Sequence, residues 1–121
     1  MSSSNFVTIN DIVIKFSQVG ETIFVPIDPV CQILGINVLF AQKNIRNHSM
    51  LSKQWLLRPS LGSNGKVQSY MTLPFKYFLG WLMSVNTTNT DPEVEKIIIG
   101  RQEKVYDTFY QFLSAHPQKL I

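Results

Sequence analysis

Gly35 and Asn37, two residues apart, constrain the fold of this chain more than any other feature. Gly35 ends an apolar run, Val30-Cys31-Gln32-Ile33-Leu34, that opens with Asp28-Pro29. At a helix start an Asp accepts a bond from a free backbone N–H, and proline fits the first helical position. The run reads as a helix over residues 29–34, stopped by Gly35 in the left-handed region. Asn37 then caps a second helix, Val38 to about Asn47. Two short helices separated by Gly35-Ile36-Asn37 form a helix-turn-helix pattern. Many such hairpins bind nothing, so the pattern alone predicts shape and not function.

Strand patterns lie on both sides. Ile12, Ile14 and Phe16 alternate with Val13, Lys15 and Ser17, the period of a half-buried strand. Gly20 holds the first central position of the turn Val19-Gly20-Glu21-Thr22, where a type II′ hairpin needs a positive φ. Thr22-Ile23-Phe24-Val25 is the return strand, and Pro26 closes it. Residues 54–60 and 66–73 read as two more strands. Leu61-Gly62-Ser63-Asn64-Gly65 joins them with turn chemistry throughout. A hairpin directly after a helix-turn-helix resembles the wing of a winged helix.

Pro74 opens a third helix through about Val85, and Asp91-Pro92 starts a long fourth one to about Ala115. Glu93 and Glu95 suit the positive end of its dipole. Its apolar residues form two stripes. Val94, Ile98, Val105, Phe109 and Phe112 make one; Ile99, Tyr106, Tyr110 and Leu113 make the other. One stripe suffices to dock a helix on a core. The second is expected to be further core. As a partner surface it would offer Ile99, Tyr106 and Tyr110, with a homodimer as one outcome.

The expected fold is α+β: a single small domain of order ββααββαα, with a helix-turn-helix, a hairpin wing and a long C-terminal helix. A chain of 121 residues, 45% hydrophobic, buries a core without disulfides or metals. The expected boundaries are a disordered start over residues 1–5, the domain over 6–116 and a tail over 117–121. No basic region followed by an apolar core opens the sequence, and no apolar run approaches the roughly 20 residues of a membrane span, so a cytoplasmic protein is expected.

The sequence contains no catalytic constellation. Cys31, the one cysteine, sits in an apolar run and reads as a small buried hydrophobe. His48 and His116 are far apart, and no phosphate loop, zincin pattern or nucleophile elbow occurs. Glu103 and Asp107 are flanked by Arg101 and Lys104 and read as a solvated face. No enzyme activity, no cofactor and no metal is expected.

Charge is more informative. The net value of +3 is mild, but no acid lies between Asp28 and Asp91, while Lys43, Arg46, Lys53, Arg58, Lys66 and Lys76 do. A basic middle with acidic flanks is a candidate footprint for a polyanion; ordinary solvated lysines are the plainer account. On the second helix, Val38, Ala41 and Ile45 share the face expected to pack inward. Gln42 borders it, and Lys43, Arg46 and Asn47 lie opposite. Gln and Asn can read adenine edges, while Arg and Lys read guanine or hold phosphates. Lys53, Arg58 and Lys66, with Asn64 at the hairpin tip, add candidate phosphate contacts. Leu39 and Phe40 beside the basic face are either covered by another element or contacts for a protein partner. Trp55, Tyr70, Tyr77 and Trp81 are expected to pack in the core.

The order of residues also resembles a known family. Phe24-Val25-Pro26-Ile27-Asp28-Pro29-Val30-Cys31-Gln32-Ile33-Leu34-Gly35-Ile36 is similar to the opening of the N-terminal domain of lambdoid-phage antirepressors. Leu73-Pro74, followed by Gly80-Trp81-Leu82-Met83-Ser84-Val85-Asn86, resembles that family's second block, and Arg101-Gln102-Glu103 with Tyr106 its third. The likeness runs from about Val19 to Leu113 and extends to BRO-type N-terminal domains. It implies prophage control, exerted on DNA or by binding a phage repressor protein. DNA is the expected partner and the repressor the alternative. Such proteins commonly carry a second, C-terminal domain.

Overall fold

A computed structural model describes residues 6–61, 65–87 and 90–115. The domain is α+β, as expected from the sequence. β1 (Phe6–Ile9) and β2 (Ile12–Lys15) form a separate two-stranded sheet. β3 (Ser17–Val19), β4 (Thr22–Pro26), β5 (Leu56–Leu61) and β6 (Val67–Pro74) form a four-stranded antiparallel sheet in the order β3-β4-β6-β5. The helices are α1 (Ile27–Leu34), α2 (Val38–Asn47), α3 (Phe75–Ser84) and α4 (Pro92–Ala115).

Among the described residues six strands stand where the alternation pattern gives four. β1 pairs with β2 in the register Ile9↔Ile12, so Asn10-Asp11 is a two-residue loop. Both loop residues have positive φ, 51° and 66°, the demand of a type I′ turn. Asn and Asp tolerate that region because their side chains bond locally to the backbone. The pattern over residues 12–16 is also broken. Phe16 leaves the strand and packs on α4, its ring 5.0 Å from Phe112 and 5.7 Å from Phe109. The chain then starts β3, and Gly20 turns it into β4 at φ +61° as expected.

The two stops that define the helix pair are in place. Gly35 adopts φ +78°, and its N–H bonds the Cys31 carbonyl. Asn37 Oδ1 accepts from the Phe40 N–H at 2.8 Å. The start of α1 differs from expectation. Pro26, extended, occupies the cap position, and no side chain caps the helix there. Asp28 lies inside the first turn and accepts from Gln32 Nε2 at 3.3 Å. Backbone pairing explains this: β4 runs through Pro26 against Thr72, so the helix begins where the sheet ends. Asp91 does cap as expected, accepting from the Glu93 N–H at 3.0 Å.

The core lies between the inner face of the larger sheet and the helices. Val25 and Leu73 are fully buried cross-strand neighbours. Phe78, Phe109 and Phe75 form an aromatic cluster above them, with Phe78 and Phe109 centroids 4.8 Å apart. On α4 the first stripe goes inward: Ile98, Val105 and Phe109 are buried and Phe112 half-buried, although Val94 at the start stays exposed. The second stripe was expected to be core, and the structure corrects this: Ile99, Tyr106 and Tyr110 are exposed. The Leu113 side chain lies outside the described residues.

The polar residues of α4 clamp the domain. Gln102 Nε2 donates to the Leu82 carbonyl in the last turn of α3 at 2.8 Å. Lys104 Nζ donates to Asn10 Oδ1 in the β1–β2 turn at 2.9 Å. Arg101 lies over Gly35: a Cβ there would come within 2.9 Å of Arg101 Nη1. α1 has no basic residue in its own last turn, so Arg101 brings a positive charge to the negative end of its dipole. No helix is long and apolar enough to cross a membrane among the described residues.

Candidate nucleic-acid interface

α2 is fastened on one side only. Ala41 and Ile45 are buried and Val38 half-buried, as the 100° advance per residue predicts. On the opposite side Leu39, Lys43 and Arg46 are exposed at spacings of four and three, forming one line along the helix. Asn47 is exposed beside this line, and Gln42 is half-buried at its border. α2 itself contains no acid.

After α2 the chain makes a 3₁₀ turn, Leu51–Lys53, which packs against the helix. His48 holds this turn: its Nδ1 accepts from the N–H groups of Met50 and Leu51 at 3.0 and 3.1 Å. Lys53 ends the turn, exposed. Trp55 follows, half-buried, and the Arg46 guanidinium lies 5.7 Å from its ring centroid. This cation–π contact ties the basic line of α2 to the foot of the hairpin. Sequence reasoning assigned Trp55 to the core alone; nothing in the spacing of Arg46 and Trp55 marks them as neighbours.

The β5–β6 hairpin is rooted in the core, and β6 is exposed in its first residues. Met71 to Leu73 are buried, Tyr70 is half-buried, and Val67 to Ser69 are exposed. β5 is an outer strand of its sheet, and Pro59 removes one donor from that edge, which guards it against pairing with another chain. Arg58 on β5 opposes Tyr70 on β6. It is half-buried, and its Nε is buried with no hydrogen-bond partner among the described residues. Lys66 is exposed just before β6. Asn64 lies outside the described residues.

The seven described candidate residues are divided between α2 with its following turn and the hairpin. Gln42, Lys43, Arg46 and Asn47 share α2, and Lys53 stands on the turn packed beneath it. Arg58 and Lys66 belong to the hairpin that follows Trp55 in the chain. A cleft of about 540 Å³ between the β1–β2 turn, α1 and the hairpin includes Asp11, Asp28, Lys15 and Tyr70 in its walls. Its two carboxylates set it apart from the acid-free surface of α2.

The apolar candidates are all exposed: Leu39 by 74%, Phe40 by 63% and, on α4, Tyr110 by 60%, with Ile99 and Tyr106 less so. Phe40 borders a groove of about 280 Å³ between α2 and α3, where Trp81, Val85 and Ile36 form the walls. Cys31 is buried, and burial pushes its thiol up from 9.0 to about 12, with the Asp28 carboxylate adding to the shift. A thiol so held is a poor nucleophile. Among the described residues, no group of three or more His, Cys, Asp or Glu is placed to hold a metal ion.

A family model described as the P22_AR N-terminal domain matches residues 5–116. No curated protein and no solved structure matches the chain.

Proposed function

Because the chain belongs to the P22_AR N-terminal domain family, an antirepressor-type family with a phage regulatory role, we propose that it is a transcriptional regulatory module that binds DNA. α2 acts as the recognition helix and the β5–β6 hairpin as its wing; the module carries out no catalysis. The observation that carries this reading is the exposed line of Lys43 and Arg46 on α2, tied by Arg46 and Trp55 to a basic hairpin. A helix of this diameter fits the major groove, where Gln42, Arg46 and Asn47 have the donors and acceptors to read base edges. Lys43, Arg46, Lys53, Arg58 and Lys66 neutralise phosphates.

A repressor-binding module is the second reading, favoured by the exposure of Leu39 and Phe40. Apolar anchors dominate protein interfaces, so Phe40→Ala would then weaken repressor binding more than any change of a lysine. A gel shift on mixed-sequence duplex at low salt tests the first reading. Retardation that fades steeply with salt supports it. No retardation at tens of micromolar protein overturns it and puts the repressor first.

A further inference from the structure

Leu39 is the most exposed of the large apolar side chains among the described residues. Single exposed leucines are ordinary, but this one stands in line with Lys43 and Arg46 on the free side of α2. Phosphate chemistry does not account for it. Phe40, one residue on, points about 100° away and borders the groove against Trp81 and Val85. Leu39 does not line that groove.

Its place in the helix is specific. Leu39 is the second residue of α2, in a turn already fixed by the bond from the Phe40 N–H to Asn37 Oδ1. The first turn of a helix lying in the major groove is the part that reaches base edges. An apolar side chain there meets one apolar group, the C5 methyl of thymine. Gln42, three residues on and adjacent on the helix surface, carries an amide that matches the N6 and N7 edge of adenine. No acid occurs on α2 or in the sequence between Asp28 and Asp91, and Lys43 and Arg46 share the line with Leu39, so the charge of this helix complements a polyanion.

We propose that Leu39 is a specificity-determining residue that packs on thymine C5 methyl groups of the bound duplex, selecting A·T pairs beneath the first turn of α2. This rests on the DNA-binding reading above. The side chain contributes no phosphate contact; it decides which sequence the basic line settles on.

The test begins with selection of binding sites from a randomised duplex library by the full chain. The selected duplex is then prepared twice, with thymine and with uracil, which lacks only the methyl. Wild-type protein is expected to bind the uracil duplex about fourfold more weakly per contacted thymine, the worth of one buried methyl group. Leu39→Ala is expected to bind both duplexes equally, with an unchanged salt slope and an unchanged melting curve. Equal binding of both duplexes by the wild type overturns the proposal and leaves DNA binding intact. So does a Leu39→Ala variant that still discriminates. Failure of the wild type to bind any duplex at low salt overturns the DNA reading and this inference together, and assigns Leu39 to a protein interface.

Discussion

The guanidinium of Arg46 on α2 lies over the ring of Trp55, 5.7 Å from its centroid, at the point where the chain enters the β5–β6 hairpin. The contact brings a basic side chain of the candidate recognition helix next to one of the two tryptophans. Arg46→Ala is expected to weaken duplex binding and make the log–log salt slope shallower by about 0.9. If Arg46 also reads a base, preference at that one position relaxes by roughly 1–3 kcal/mol. A cation–π pair near the surface is worth about 0.5–1 kcal/mol, so the melting temperature should fall by only a few degrees. Arg46→Lys should restore the slope and not the base preference, since an ammonium lacks the planar fork. Fluorescence anisotropy of a labelled duplex across a salt series measures each of these.

Lys66 stands before β6, at the far end of the hairpin from Trp55. Its role in the proposed interface is phosphate contact alone. Lys66→Ala is expected to weaken binding to all sequences alike and to flatten the salt slope by about one unit. A change in sequence preference, read by competition between selected and random duplex, would contradict that role.

Gly35 holds φ +78° at the end of α1, with Arg101 Nη1 close overhead. Gly35→Ala is expected to destabilise the domain by about 1–2 kcal/mol, chiefly through the cost of the left-handed region for a residue with a Cβ. Arg101 adds little to this, because the end of a flexible side chain can move aside. Gly35→Asn should cost less, since asparagine tolerates that region better. Urea denaturation of the three proteins gives the order directly.

Gln102 links α4 to α3 by donating to the Leu82 carbonyl at 2.8 Å. Gln102→Leu removes the donor and leaves a half-buried carbonyl with less satisfaction. A loss of about 1 kcal/mol is expected, with duplex binding unchanged. A loss of binding without a loss of stability would show that the α3–α4 clamp bears on the interface.

Cys31 gives a pH dependence with a defined sign. Burial, with the Asp28 carboxylate adding to it, pushes its folded thiol up from 9.0 to about 12 by disfavouring the thiolate. Below pH 9.0 both states keep the proton and the group contributes no slope. Above it the unfolded chain loses the proton first, so stability falls as pH rises from 9.0 toward about 12. Cys31→Ala should remove this part of the slope, seen in melts across that range. In the native protein the thiol should resist alkylation at pH 8 and react once urea is added.

The local stops were written in the sequence. Gly35 and Asn37 fix the ends of α1 and α2 through their own backbone and side-chain chemistry, and Asp91 starts α4 in the same way. The inward face of α2 was legible for a related reason: Ala41 and Ile45 recur at the helical period. β1 was missed because its turn uses Asn10-Asp11, with no glycine to mark the positive φ. Asp28 was misread because strand pairing of Pro26 with Thr72, a contact between distant residues, decides where α1 begins.

Tertiary structure alone decided which stripe of α4 goes inside. Both stripes have the apolar residues to dock. Phe16, at the junction of β2 and β3, and Phe75 and Phe78, both on α3, place their rings against Phe109, while Ile99, Tyr106 and Tyr110 are left exposed. The same holds for Arg46 and Trp55. The sequence supplied a cation and an aromatic ring, but the 3₁₀ turn held by His48 brings them together. Periodicity records what a residue can bury; which surface is present to cover it depends on chain segments far away in sequence.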